Sequence, residues 1–171
     1  MNVSSPNTER LRDLQGPDAL RAVLERTQNA NASLSRPIPL FVKIAPDLDG
    51  TALDDIVRVA EETNLAGIIA TNTTLARDGL KSRHADEAGG LSGRPLFEKS
   101  TAILAALHAR TNLPLIGVGG IASGADVHEK LKAGATVVQL YSALAFKGLG
   151  LISDIARDLD GLLAQDEMKS P

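Results

Sequence analysis

The 171-residue sequence contains no cysteine, no tryptophan, one tyrosine and three phenylalanines. Without cysteine there are no disulfides, no thiolate metal sites and no sulfur nucleophile. With aromatics at 2%, stacking on aromatic rings is not a general binding device. Excess charge is missing too. The 18 basic and 21 acidic side chains leave a net charge of −3, which gives no electrostatic reason to bind nucleic acid. No apolar run approaches the roughly 20 residues that span a bilayer. No basic stretch with an apolar run behind it follows Met1, so no export signal is read there. What is present is ordinary: 43% hydrophobic and 23% charged residues, enough for one domain with a real core and too apolar for a disordered chain.

Short apolar runs at 39–44, 66–71, 113–118 and 135–141 are β-branched and bounded by glycine or proline, which predicts buried parallel strands. A further short strand is expected just before Ser4. Helical periodicity fills the intervals. Pro17 is placed to begin one helix, with Leu20, Val23 and Leu24 on a shared face. Asp49 caps a second, striped by Leu53, Ile56, Val57 and Ala60. A third is expected from about Ser100, with Ile103, Leu104 and Leu107 inward. Ser123 caps a fourth carrying Val127 and Leu131, which ends near Gly134. Leu151, Ile155, Leu159 and Leu162 mark a fifth, whose tail after Gln165 is expected to fray. The alternation predicts an α/β fold with about four to five parallel strands, as one domain over 1–165 with a tail over 166–171. An open doubly wound sheet and a piece of a (β/α)8 barrel both fit, while a complete barrel needs about 250 residues. Residues 76–95 show no period, which predicts a lid or an active-site insertion.

Polar residues gather at the C-terminal ends of the strands, where both parallel architectures place ligands. Asn2, Ser4, Ser5 and Asn7 follow the first strand, Lys43 sits inside the second, and Thr71, Asn72, Thr73 and Thr74 end the third. Gly117, Gly119 and Gly120 end the fourth, and Tyr141 and Ser142 the fifth. Each has a plain structural reading: Ser-Ser-Pro-Asn-Thr is a turn sequence, Thr71 to Thr74 can cap a helix, and the glycines suit a tight turn. Lys43 is harder to dismiss, because a lysine in an apolar strand must find a charge or a water-filled cavity. Gly-Val-Gly-Gly before a helix start offers unobstructed amides and a helix dipole, which points to a phosphate-bearing cofactor or substrate. It is not a Walker A motif, and no acidic residue is placed as the dinucleotide fingerprint requires. Asn2, Asn7, Asn72 and Thr73 suit a flat, amide-rich ring such as a pyrimidine. His84, His108 and His128 lack metal-ligand spacing, and the last two read as surface residues.

Six segments occur here in the order found in the dihydroorotate dehydrogenase family: Asn2-Val-Ser-Ser-Pro-Asn-Thr8, Val42-Lys-Ile-Ala-Pro-Asp47, Ala70-Thr-Asn-Thr-Thr74, Gly89-Gly-Leu-Ser-Gly93, Gly117-Val-Gly-Gly120 and Gln139-Leu-Tyr-Ser142. The sequence resembles the quinone-dependent, class 2 branch, in which a serine stands where class 1 members carry a cysteine. The resemblance implies the C-terminal half of an FMN-binding TIM (β/α)8 barrel, starting at the end of strand four. The family's first strands, with a substrate-binding lysine and further flavin contacts, have no counterpart here. Nor does the N-terminal helical extension that forms the quinone tunnel and contacts the membrane. The implied activity is oxidation of dihydroorotate to orotate, with FMN and a quinone acceptor, in pyrimidine (UMP) biosynthesis. Full-length members are peripheral on the inner membrane; this chain is expected to be a soluble, truncated part, inactive alone. Ser5 then resembles the base that removes the C5 proton, and Thr8 a relay for it. Asn2 resembles a contact shared by flavin and substrate, and Asn7, Asn72 and Thr73 the substrate's hydrogen-bonding partners. Lys43 and Thr71 resemble groups around the flavin ring. Gly93, Gly120, Tyr141 and Ser142 resemble FMN-binding positions, the last three at the phosphate end. Two alternatives are a non-catalytic half-barrel and another FMN-barrel oxidoreductase acting on a pyrimidine-like ring. Dihydrouridine synthases, an example of the latter, use a cysteine acid and a basic RNA surface, which this sequence lacks. Unpaired half-barrel edges predict self-association.

Overall fold

The computed structural model describes residues 1–169, with side chains described through Asp166. Four strands, β1 (Phe41–Ile44), β2 (Gly67–Ala70), β3 (Leu115–Val118) and β4 (Val137–Gln139), form one parallel sheet in the order β1-β2-β3-β4. Parallel neighbours need crossovers, and helices supply them. α1 (Pro17–Ala32) precedes β1, α2 (Gly50–Glu62) joins β1 to β2, α3 (Phe97–His108) joins β2 to β3, and α4 (Gly124–Lys132) joins β3 to β4. Two more helices follow, α5 (Ser142–Lys147) and α6 (Gly150–Lys169). The result is an arc of a (β/α) barrel.

The helix starts follow their local chemistry. Pro17 occupies the first turn of α1. The Asp49 carboxylate accepts from the Ala52 amide at 2.8 Å, and the Ser123 hydroxyl from the Asp126 amide at 3.2 Å. α3 begins at Phe97 rather than near Ser100, because a 3-10 turn over Arg94–Leu96 leads straight into it without a side-chain cap. α5 was not expected: it has six residues, no buried side chain and hence no stripe to read. The strand expected before Ser4 is reduced to a parallel bridge between Asn2 and Lys43. Met1 nevertheless lies along the edge of β1, its carbonyl accepting from the Lys43 amide at 2.9 Å. The tail expected to fray after Gln165 is helical to Lys169; residues 170–171 lie outside the described residues.

Strand alternation gives the sheet two unequal faces. Val42, Ile44, Ile68, Ala70 and Leu115 face the helices and are sealed there with Leu20, Leu24, Ile56, Leu104 and Leu107. The register aligns Lys43, Ile69, Ile116 and Val137 on the opposite face. That inner face is open: the first three are half-buried, and Val137 is 53% exposed. A second cluster, built from Ile121, Val127, Leu151 and Ile155, fastens α6 to α4. Among the described residues no helix is long and apolar enough to cross a membrane.

Candidate functional site

The C-terminal ends of the strands open into a cleft of about 480 Å³. Nine of the residues singled out from sequence line it: Lys43, Thr71, Asn72, Thr73, Gly93, Gly119, Gly120, Tyr141 and Ser142. Two further cations, Arg94 and Lys147, join Lys43 in lining it, and no carboxylate does among the described residues. Arg94 is held by Asp126 at 2.5 Å, and the Lys147 ammonium donates to the Ala122 carbonyl at 3.0 Å. Lys43 has neither an ion pair nor a side-chain hydrogen bond among the described residues, and burial lowers its pKa. Such a cleft is charged to receive an anion.

At one end the chain is shaped around glycine. Gly119 and Gly120 have φ of 122° and 75°, a region that L side chains rarely occupy. A Cβ on Gly120 would stand 2.7 Å from the Phe97 amide nitrogen, so the loop rests directly on the start of α3. Gly93 and Ser142 meet here, and the Ser142 hydroxyl donates to that of Ser92 at 2.9 Å. Tyr141, the residue before α5, is 84% exposed.

At the other end hydrogen bonds join three strand ends. The Asn72 amide donates to the Asn2 side-chain oxygen at 3.0 Å and to the Ser4 hydroxyl at 3.2 Å. Ser4 is fully buried and donates to the Lys43 carbonyl at 2.6 Å. The Asn72 oxygen accepts from the Thr73 amide at 2.8 Å. The Ala70–Thr71 peptide is cis. Asn2, Ser5, Asn7 and Thr8 lie outside the cleft lining, Asn2 reaching it only through Asn72 and the other three on the neighbouring loop. The Ser5 hydroxyl is half-buried and accepts from the Asn7 amide at 3.3 Å. Asn7 accepts from the Gly90 amide at 3.1 Å. Thr8 is exposed, and no hydrogen bond joins its hydroxyl to Ser5.

The loop expected as a lid folds back on itself. Thr74 and Leu91 exchange backbone hydrogen bonds at 3.1 and 2.8 Å, closing residues 75–90 into a flap. The Arg77 guanidinium fills its neck, donating to the carbonyls of Glu87 and Gly89. Gly90 is forced by close approach: a Cβ there would collide with Thr73 and Pro6. The flap therefore rests on the loops that carry Ser5, Asn7 and Thr73.

Asp47 and Arg12 were missed as site residues. Asp47 accepts from the Lys99 ammonium at 2.6 Å, the Thr74 hydroxyl at 2.5 Å, the Leu75 amide at 3.0 Å and Arg12 at 3.0 Å. Burial alone would raise its pKa, but these donors prevail and hold it at about 2. Arg12 also donates to the carbonyls of Ser4 at 3.2 Å and Thr73 at 2.9 Å. The pair thus binds the serine loop, the asparagine–threonine loop and the flap's root together. The signal available was the charged residue closing Val42-Lys-Ile-Ala-Pro-Asp47 at a strand end. No group of three or more potential metal ligands occurs among the described residues.

Known proteins resemble the chain in sequence and in fold. The chain is 58% identical over 168 residues to the dihydroorotate dehydrogenase (quinone) of Cereibacter sphaeroides, covering 97% of this chain and 48% of that protein. It is 51% identical over 176 residues to that of Rhizobium johnstonii, covering 99% and 49%. Two crystal structures of Eimeria tenella DHODH, one with ferulenol and one ligand-free, each superpose with a TM-score of 0.92. They are 36% and 38% identical and cover 96% of this chain. The chain spans about half the length of the relatives it matches. The dihydroorotate dehydrogenase family model matches residues 1–163, and the chain belongs to that family.

Proposed function

We propose that this chain supplies the substrate-binding and phosphate-binding half of a dihydroorotate dehydrogenase that uses FMN and a quinone. The observation that carries the reading is the cleft, lined by three cations and no carboxylate, with a glycine loop at one end and an amide network at the other. The residues present fit FMN. The cleft lies within the 300–1,000 Å³ usual for such ligands, roughly, and Gly119 and Gly120 leave the close approach that a phosphate needs. Gly93, Gly120, Tyr141 and Ser142 would hold the phosphate end. Lys43 and Thr71 would flank the ring, and Asn2 would touch both ring and substrate. When bound, FMN would accept the hydride equivalent leaving C6 of dihydroorotate.

The chain's own part is to hold the substrate and move a proton. Asn7, Asn72 and Thr73 present donors and acceptors to the ring's amide edge, which limits it to one orientation. The Ser5 hydroxyl takes the C5 proton and passes its own outward toward the exposed Thr8 by way of a water, since no hydrogen bond joins the two hydroxyls directly. A free serine is a poor base, so this step depends on geometry more than on pKa. The flap excludes water by resting on these loops. Lys43 places positive charge where negative charge develops during the transfer. Orotate is the product, and a quinone removes the electrons at a surface outside this chain.

The test supplies the remaining half of the barrel from the Cereibacter sphaeroides relative, together with FMN, and assays orotate formation from dihydroorotate. Orotate is expected only when both halves are present. A folded, assembled barrel that binds FMN and makes no orotate overturns the reading.

A further inference from the structure

A buried ammonium lies beneath the glycine loop. Lys130 sits on α4 three residues after Val127, so helical geometry turns it inward with that core residue. It is fully buried. Its Nζ donates to the Ser100 hydroxyl at 2.6 Å, lies 3.5 Å from the Phe97 carbonyl oxygen, and stands 5.0 Å from the centre of the Phe97 ring. No carboxylate pairs with it among the described residues. Glu98 of α3 and Asp126 and Glu129 of α4 act on it only through space, and Asp126 is already engaged by Arg94. β3 and β4, which pack alongside, carry no titratable residue. Burying an unpaired ammonium is unfavourable, and an apolar side chain of similar volume would be the more stable occupant.

Its position has a consequence for the cleft. The Ser100 oxygen lies 3.2 Å from the Gly119 carbonyl oxygen and 3.0 Å from that of Phe97. In a trans peptide the carbonyl and the following N–H point in opposite directions. A Gly119 carbonyl held down toward Ser100 therefore turns the Gly120 N–H the other way, on the residue that lines the cleft. A Cβ on Gly119 would stand 2.7 Å from the same Ser100 oxygen, so loop, serine and lysine form one packed unit.

We propose that Lys130 is a positioning residue for the anion site: through Ser100 it fixes the glycine loop with its amide presented, and its buried charge makes that loop prefer a dianionic phosphate. The inference rests on the phosphate reading of the cleft given above. Burial lowers the Lys130 pKa to about 8, so the charge is present at neutral pH and is lost as pH rises. The phosphate of FMN is already dianionic over that range.

The test compares wild type, Lys130→Met and Ser100→Ala with two probes, FMN and riboflavin, which lacks the phosphate. In Lys130→Met the FMN affinity is expected to fall about tenfold or more, the scale of a unit charge several ångströms away at an effective dielectric of about 20. Riboflavin affinity is expected to stay unchanged. Wild-type affinity for FMN should decline from pH 7 to pH 9.5 more steeply than that of Lys130→Met. Lys43 is present in both chains, so the difference isolates Lys130. Without ligand, the amide order parameters of Gly119 and Gly120 should drop in both variants from a rigid value of about 0.85 to below about 0.6. Equal losses for FMN and riboflavin, or none for either, overturn the charge role. Unchanged order parameters overturn the positioning role whatever the flavin result. A wild-type chain that binds FMN no better than riboflavin, with loop order still dependent on Lys130, instead overturns the phosphate reading.

Discussion

At the scale of single residues, the strand ends were legible and their long-range partners were not. Lys43, Thr71, Asn72 and Gly120 stand out in sequence because polar or glycine residues interrupt apolar strands, and the cleft collects all four. Arg12 and Lys130 leave no such trace, and Asp47 leaves only its place just past a strand end. Each is defined by what it meets 27 to 61 positions away, as in Asp47 with Thr74 and Arg12 with Thr73. Asp47 yields a pH prediction. Its folded pKa of about 2 lies below the ordinary 3.8, so its contribution to stability is complete above about pH 4 and is lost as pH falls toward 2. Because the carboxylate is partly solvated, that contribution is on the order of 1 kcal/mol after screening. Urea denaturation midpoints of wild type should decline over that window by this amount more than those of Asp47→Asn. Parallel profiles would show that the carboxylate's partners do not hold it in solution.

At the scale of elements, cap chemistry and apolar stripes located four helices, because Pro17, Asp49 and Ser123 act locally and Leu151 with Ile155 mark the core side of α6. The start of α3 was hidden because Arg94–Leu96 forms a 3-10 turn with no capping side chain, and α5 because its six residues include no fully buried side chain. The glycine loop is where element and site coincide. Gly120→Ala meets both a positive φ and the Phe97 backbone at 2.6 Å, whereas Gly148→Ala meets a φ of 74° with nothing within 4 Å. The Gly148 change should cost about 1 kcal/mol from backbone strain alone. Gly120→Ala should cost more, about 2–3 kcal/mol, since the loop must also leave α3. Chemical denaturation of the two variants checks this. Equal losses would mean that the loop does not rest on Phe97 as tightly as the geometry requires.

At the scale of the whole molecule, the inner face of the sheet and the β4 side are unfinished. Val137, Tyr141, Phe146 and Leu149 are 53%, 84%, 89% and 78% exposed, beside a strand whose outer edge has no neighbour among the described residues. Exposed edges and apolar patches invite pairing, so light scattering at micromolar concentration should report dimers or larger species. A clean monomer would contradict this. The same openness should weaken FMN, because losing a few hydrogen bonds of about 1 kcal/mol each costs one or more decades in affinity. Stoichiometric flavin surviving gel filtration of the isolated chain would run against that expectation. The central proposal, that the Ser5 loop takes the C5 proton of dihydroorotate beside a flavin held in the cleft, is tested most directly by single-turnover flavin bleaching in the barrel completed with the relative's other half. The reductive half-reaction is then isolated from quinone turnover. With Ser5→Ala, bleaching by dihydroorotate is predicted to slow by about two decades or more, the usual contribution of a positioned base. Substrate binding should be little changed, because Asn7, Asn72 and Thr73 remain. A bleaching rate close to that of wild type would contradict the account and remove Ser5 from the chemistry.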